Sequence, residues 1–301
     1  SNPVILESIE FPEPVVRFAV EPKTKSDQEK MSEALAKLTS EDPTFHAETD
    51  HETGQVVISG MGELHLEVKI RILKDEYGID VNIGKPQVAY RETVKAEGKH
   101  REVLKKQSGG AGQFADIDML IRPRERGEGY EFIDSIKGGS IPREFIPSID
   151  KGIQESMTAG PIAGYPVVDL EVEVVDGSYH DVDSNTDTFK IAAFYGFKKL
   201  MNTAKPILLE PVMKVFINVP EDYVGSVTGY LSSKRGIIKN MIQRGKTKEL
   251  LAEAPLGELF GYVSDLRNLT SGTAAPSMEF SHYAEVPSNI MEDIRGESNA
   301  E

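Results

Sequence analysis

The order of strand and helix signals constrains this chain of 301 residues more than any single motif, because the string strand, helix, strand, strand, helix, strand occurs twice. Near the start, residues 15–20 are rich in β-formers. Ser26, Asp27, Gln28 and Glu29 read as a capping box ahead of Met31, Ala34, Leu35 and Leu38 at helical spacing. Residues 44–49 and 55–59 flank a polar stretch, Asp50 to Gly54, that suits a hairpin loop. Leu64, Val68 and Ile72 at four-residue spacing predict a second helix over 62–77, closed by Gly78, and 79–83 alternates as a strand. The far end repeats the order. There, strand 212–219, helix 222–234 stopping at Gly236 and strand 237–243 lead to a turn at Gly245, Lys246 and Thr247. Strand 249–254, helix 258–269 stopping near Gly272 and strand 277–283 follow. Two such units predict two ferredoxin-like α+β sandwiches, each an antiparallel sheet covered on one face by two helices.

Between them the pattern changes. Strands are predicted over 88–94, 100–106, 114–122 and 130–136, a helix from Arg143 to about Ala159, a strand over 167–175 and a helix over 185–204 with Ser184 at its N-cap. Phe189, Ala192, Ala193, Tyr195 and Gly196 let that last helix pack closely on a sheet. Pro86 and Pro206 suit boundaries, since proline ends regular structure and restricts its neighbour. The expectation is α+β throughout, with domains at 1–86, 87–206 and 207–301.

Composition narrows the function classes. The hydrophobic share of 39% and charged share of 28%, with no long apolar run, are those of a soluble globular chain and exclude a membrane span. No cysteine is present, which removes thiolate chemistry and disulfides and fits a reducing compartment such as the cytoplasm. There is no leader-like start, and Ser1-Asn2 reads as a remnant, so the native N-terminus is expected to lie outside the chain. The net charge of −15 argues against a general nucleic-acid binder. The deficit is uneven: 9 basic against 17 acidic residues in 1–86, 16 against 19 in 87–206, and 9 against 13 in 207–301. An RNA-facing surface belongs first in the middle segment.

Catalytic chemistry is nearly absent. Gly84-Lys85 is followed by Pro86 rather than Ser or Thr, so it is not a phosphate loop, and GTP binding by this chain is not expected. The six histidines, His46, His51, His65, His100, His180 and His282, show no ligand spacing, and no carboxylate pair stands out as acid and base. No catalytic, metal or cofactor residue is assigned. Two loops of the middle segment do stand out. Lys105 and Lys106 lead into Gln107, Ser108, Gly109, Gly110, Ala111, Gly112 and Gln113, where bare glycine backbone can approach a polyanion; an ordinary hairpin turn is the alternative. The second runs Asp176, Gly177, Ser178, Tyr179, His180, Asp181, Val182, Asp183, Ser184. It joins an aromatic ring and an imidazole to short polar groups able to stack on bases and bond ribose, while a plain helix-capping loop remains the alternative.

Several stretches together resemble elongation factor G. They are Val20-Glu21-Pro22-Lys23-Thr24-Lys25, Glu41-Asp42-Pro43-Thr44-Phe45, Gly60-Met61-Gly62-Glu63-Leu64-His65-Leu66 and Gly84-Lys85-Pro86-Gln87-Val88-Ala89-Tyr90-Arg91-Glu92. The loop from Gly177 to Ser184, Leu209-Glu210-Pro211-Val212, Lys234-Arg235-Gly236 and Leu259-Phe260-Gly261-Tyr262 continue the likeness, in order, over nearly the whole chain. The resemblance implies domain III over 1–86, a domain IV similar to ribosomal protein S5 over 87–206, and domain V over 207–301. It implies tip loops that enter the decoding region, with Gln107, Ser108, Gly109, Gly110, Gly112, Gln113, Ser178, Tyr179, His180 and Asp181 facing RNA and His180 at the family's tip histidine.

The resemblance further implies a cytoplasmic, monomeric, ribosome-binding part of a translocation GTPase that contacts transfer RNA and messenger RNA. GTP and magnesium belong to a preceding domain, so no cofactor is expected here. Acidic domains shaped like a transfer RNA reconcile the net charge with ribosome binding. Ala111 and Thr273 stand where many members carry a basic residue, a departure compatible with a slow translocase or a paralogue acting in ribosome recycling. A ribosomal protection factor is a further alternative, which the intact loop around His180 disfavours. An enzyme acting on a phosphorylated substrate is the alternative from another class.

Overall fold

In the computed structural model the described residues are 14–49, 55–84, 87–106 and 112–298. The chain divides into two compact units, Ser1–Ala89 with Pro211–His282 and Tyr90–Glu210 with Tyr283–Glu301.

In the first unit, β1 (Val16–Pro22) leads through a 3-10 turn (Lys25–Asp27) into α1 (Gln28–Glu41). Then come β2 (His46–Thr49), β3 (Val56–Gly60), α2 (Glu63–Asp75) and β4 (Val81–Ile83). The sheet order is β2-β3-β1-β4, and every pairing is antiparallel. This is the predicted ferredoxin-like arrangement. The hairpin tip at Asp50 to Gly54 lies outside the described residues. Two local expectations change. Ser26 does not cap α1: it lies inside the 3-10 turn, where its hydroxyl meets that of Thr24 at 3.1 Å, and the residue ahead of the helix, Asp27, has helical backbone angles, φ −91° and ψ −2°, and commits its carboxylate to the Thr24 hydroxyl. In α2 the buried face is Leu66 and Leu73, while Leu64 and Val68 are exposed, because the sheet meets the helix on a face displaced from the Leu64 stripe.

One strand predicted over 88–94 is two. β5 (Gln87–Val88) pairs with β1, and β6 (Arg91–Val94) pairs with Pro206 to Leu209, the opening residues of a long later strand. That strand, β11 (Pro206–Pro220), belongs to the second sandwich with α5 (Val224–Ser233), β12 (Ile237–Arg244), β13 (Thr247–Pro255), α6 (Tyr262–Leu269) and β14 (Ala275–Glu285). Its order, β12-β13-β11-β14, repeats that of the first. Phe45, Ile58 and Leu66 share one apolar cluster with Met213, Leu231 and Tyr262, so the two sandwiches of this unit have a continuous core.

The second unit carries β7 (Gly98–Lys106), β8 (Gln113–Pro123), β9 (Tyr130–Asp134), α3 (Ile146–Ser156), β10 (Leu170–Ser178) and α4 (Thr186–Thr203). The order is β7-β8-β10-β9, antiparallel except for the parallel pair β9/β10. Phe189, Phe197 and Leu200 of α4 and Ile149 and Ile153 of α3 fill the core above the sheet. On the side chains that alternate away from that core, Lys99 pairs with Asp118, Arg101 with Asp116, and Arg122 with Glu171 and Glu173. A helix the sequence reading missed, α7 (Ser288–Ser298), sets Ile294 beside Leu208 and Val286. Its signal was weak: three apolar residues, Ile290, Met291 and Ile294, in a charged stretch.

Candidate functional site

Strand direction decides which loops meet. β7, β9 and β10 all run the same way past β8, so the chain leaves each of them at one end of the sheet. Of the two loops singled out by sequence, 177–184 and the described flanks of 107–113, Lys106 before it and Gly112 and Gln113 at its close, are at that end. Gln107, Ser108, Gly109, Gly110 and Ala111 lie outside the described residues. Gly112 immediately precedes β8, Gln113 opens it, and both are half-buried.

The two loops are tied by hydrogen bonds between residues about 70 apart in sequence. The Gly112 N–H donates to Asp183 Oδ1 at 3.1 Å, the Phe114 N–H to the Asp183 carbonyl at 2.8 Å, and the Ser184 hydroxyl to the Phe114 carbonyl at 2.6 Å. A Cβ on residue 112 would stand 2.8 Å from the Asp183 carboxyl carbon, so any larger residue there must displace that carboxylate. Ser184 is not the helix cap. Its hydroxyl is committed to Phe114 and to the His180 N–H at 2.9 Å, and Asn185 caps α4, its side-chain oxygen accepting the Thr188 N–H at 2.9 Å. Asn185 is extended, with φ −152°, the geometry a cap requires.

Between these anchors the chain presents Tyr179, His180, Asp181 and Val182 to solvent, Val182 most of all at 77%. The His180 Nδ1 accepts the N–H groups of Val182 and Asp183 at 3.4 and 3.3 Å and lies 3.4 Å from Asp183 Oδ2. An accepting Nδ1 places the proton of the neutral ring on Nε2. Ser178, the last residue of β10, is turned to the sheet: its hydroxyl donates to Asp116 Oδ2 at 2.7 Å. Two bonds from Arg101, at 2.8 and 2.7 Å, complete that carboxylate's partners. The Arg101 guanidinium, aided by Ser178, holds Asp116 below the usual carboxylate range against the opposing effect of burial. The site therefore has an ionic base, a stitched waist and an exposed aromatic and imidazole rim, an arrangement suited to stacking and hydrogen bonding. Among the described residues no group of three or more His, Asp or Glu is placed to hold a metal ion.

The sequence reading missed Asp183 as the link between loops, and Glu92. Glu92 is fully buried and accepts the N–H groups of Ile162, Ala163 and Tyr165 at 2.9, 2.9 and 3.1 Å, fixing the connection into β10. Burial raises its pKa in spite of these donors.

Three family models match the chain in succession: elongation factor G domain III over residues 11–85, elongation factor G domain IV over 86–205, and elongation factor G C-terminus over 207–294. Among solved structures, a crystal structure of a protein from Thermus thermophilus is similar at 40% identity with a TM-score of 0.76. The match covers 98% of this chain and 44% of that one. The chain thus spans less than half the length of that relative.

Proposed function

Because the chain belongs to the elongation factor G family through its domain III, domain IV and C-terminal regions, we propose that it is the ribosome-engaging part of a factor that moves transfer RNA and messenger RNA during protein synthesis. The observation that carries this reading is the stitched pair of loops, with Tyr179 and His180 held out on a frame that Asp183 and Ser184 fasten to β8. A rigidly presented, exposed rim can occupy a space vacated by RNA and resist its return. No bond need be made or broken at the tip. GTP and magnesium are assigned to another part of the whole factor, which acts as a monomer in the cytoplasm. No described helix is long and apolar enough to cross a membrane.

The test replaces His180 with Ala in the whole factor. A stacked or hydrogen-bonded side chain on RNA is worth about 1–3 kcal/mol, so translocation should slow about tenfold or more while ribosome-stimulated GTP hydrolysis and melting temperature stay put. A large drop in melting temperature would show His180 to be a packing residue, and unchanged translocation would remove its role at the tip. Recycling is the second reading. Thr273, where a cation is common in the family, turns its hydroxyl inward to the Thr270 carbonyl at 2.6 Å. A subunit-splitting assay on the same variant separates the two.

A further inference from the structure

A third loop leaves the same end of the domain IV sheet, and neither sequence motif reaches it. It follows β9 and runs to Arg143. The Ser135 N–H extends the β9/β10 pairing by donating to the Val174 carbonyl at 2.9 Å, which carries the loop alongside the last residues of β10. Its far end returns to the base of the His180 loop. A Cβ on Gly177 would stand 2.5 Å from Ile141 Cδ1, so the two segments touch. Between these contacts Gly138 and Gly139 both take positive φ, 69° and 74°, with open space where a Cβ would be. Two consecutive left-handed residues make a tight turn that projects backbone into solvent.

Few hydrogen bonds hold this loop. The N–H groups of Lys137, Gly138, Gly139 and Ile141 have no acceptor among the described residues. Lys137 and Arg143 are exposed, and neither pairs with a carboxylate among the described residues. On the sheet behind them the cations are neutralised: Lys99 by Asp118, Arg101 by Asp116, Arg122 by Glu171 and Glu173. Asp134 and Glu144 also flank the loop, and Asp134 is occupied by the Ile136 N–H at 3.0 Å. Recognition here would rest on donors close at hand rather than on a basic field. Free amides on a side-chain-free turn, with two unpaired cations at its ends, fit a run of phosphate oxygens.

We propose that residues 137–143 form a third phosphate-contacting element of the tip, which takes the ribose-phosphate backbone of RNA beside the two loops already described. This rests on the ribosome reading above. Cations on phosphates set the salt dependence of binding, each contributing a slope of about 1 in log affinity against log salt. The chain of residues 1–301 is co-sedimented with ribosomes at salt from about 50 to 200 mM, unmodified and with Lys137→Gln and Arg143→Gln together. The double variant should bind about tenfold or more weakly at low salt, with a slope reduced by about 2, and should melt with the unmodified chain. An unchanged slope and affinity, with the unmodified chain still binding, overturns this inference alone. Failure of the unmodified chain to bind at any salt overturns the ribosome reading and this inference with it. Saturable shifts of the Gly138 and Gly139 amide resonances with micromolar pyrophosphate, in the absence of ribosomes, would assign the loop to a small phosphorylated ligand and overturn the RNA assignment.

Discussion

At the scale of single residues, the tip depends on one carboxylate whose chemistry is ordinary and whose position is not. Asp183 holds the Gly112 N–H through its side chain and the Phe114 N–H through its carbonyl, and its second carboxylate oxygen faces His180. Asp183→Ala leaves the Gly112 N–H without its acceptor and removes the anion beside the imidazole. Leaving a half-buried donor unpaired costs about 1–3 kcal/mol, so the urea midpoint of the domain should fall modestly. Translocation by the whole factor should fall as well, because His180 is then presented on an unfastened loop. Gly112→Ala should act in the same direction by pushing the carboxylate away. If both variants translocate at the normal rate, the link between the loops is structural decoration and His180 needs no frame. Neither residue is conspicuous in a linear reading, since an aspartate and a glycine in separate polar loops have many unremarkable uses.

At the scale of elements, the sequence reading gave the cap of α4 to Ser184, whereas the structure gives Ser184 and Asn185 separate tasks. Ser184 joins the loop to β8, and Asn185 starts the helix. Loss of a side-chain N-cap costs about 1 kcal/mol, so Asn185→Ala should lower domain stability by that amount and leave the tip in register. Ser184→Ala should instead free the Phe114 carbonyl and the His180 N–H, and protection of the His180 amide in hydrogen exchange should drop. Comparable exchange at His180 in the two variants would contradict this division. The placing of α2 teaches the same lesson from the core side. Four-residue spacing correctly marked a helix, but Leu64 and Val68 are exposed and Leu66 and Leu73 are buried. Periodicity fixes that a stripe exists, and the packing partner selects which stripe is covered.

At the scale of the whole molecule, the acidic balance has a consequence for pH. Asp116 and Glu173 lie below their ordinary values through their ion pairs and hydrogen bonds. Asp42 and Glu102 do so as well: burial opposes ionisation, but Lys69, Thr44 and His65 outweigh it at Asp42, and Lys199 and His100 at Glu102. A carboxylate with a depressed folded-state pKa stabilises above its unfolded value, near about 4, and loses that contribution as pH falls through the folded value. Glu92 runs the other way. Its raised folded-state pKa makes its contribution full below about 4 and diminished as pH rises through the folded value. The lowered groups outnumber this one, which predicts that the urea midpoint falls between about pH 5 and pH 3; a midpoint that rises over that interval would contradict the assignment. What the amino-acid order determined by itself was the repeated βαββαβ pattern, most of the other elements, the two loops and the family, because periodicity, β-branched runs and motif strings are local; the split of 88–94 into β5 and β6 and the helix α7 left too little local signal. Tertiary structure alone decided the continuous core of the two sandwiches, the burial of Glu92 and the partners of Asp183 and Ser184. It also placed the turn at Gly138 and Gly139 beside the tip. Those features join residues tens of positions apart, and a contact that becomes favourable only when distant strands pair leaves no periodic trace in the chain that encodes it.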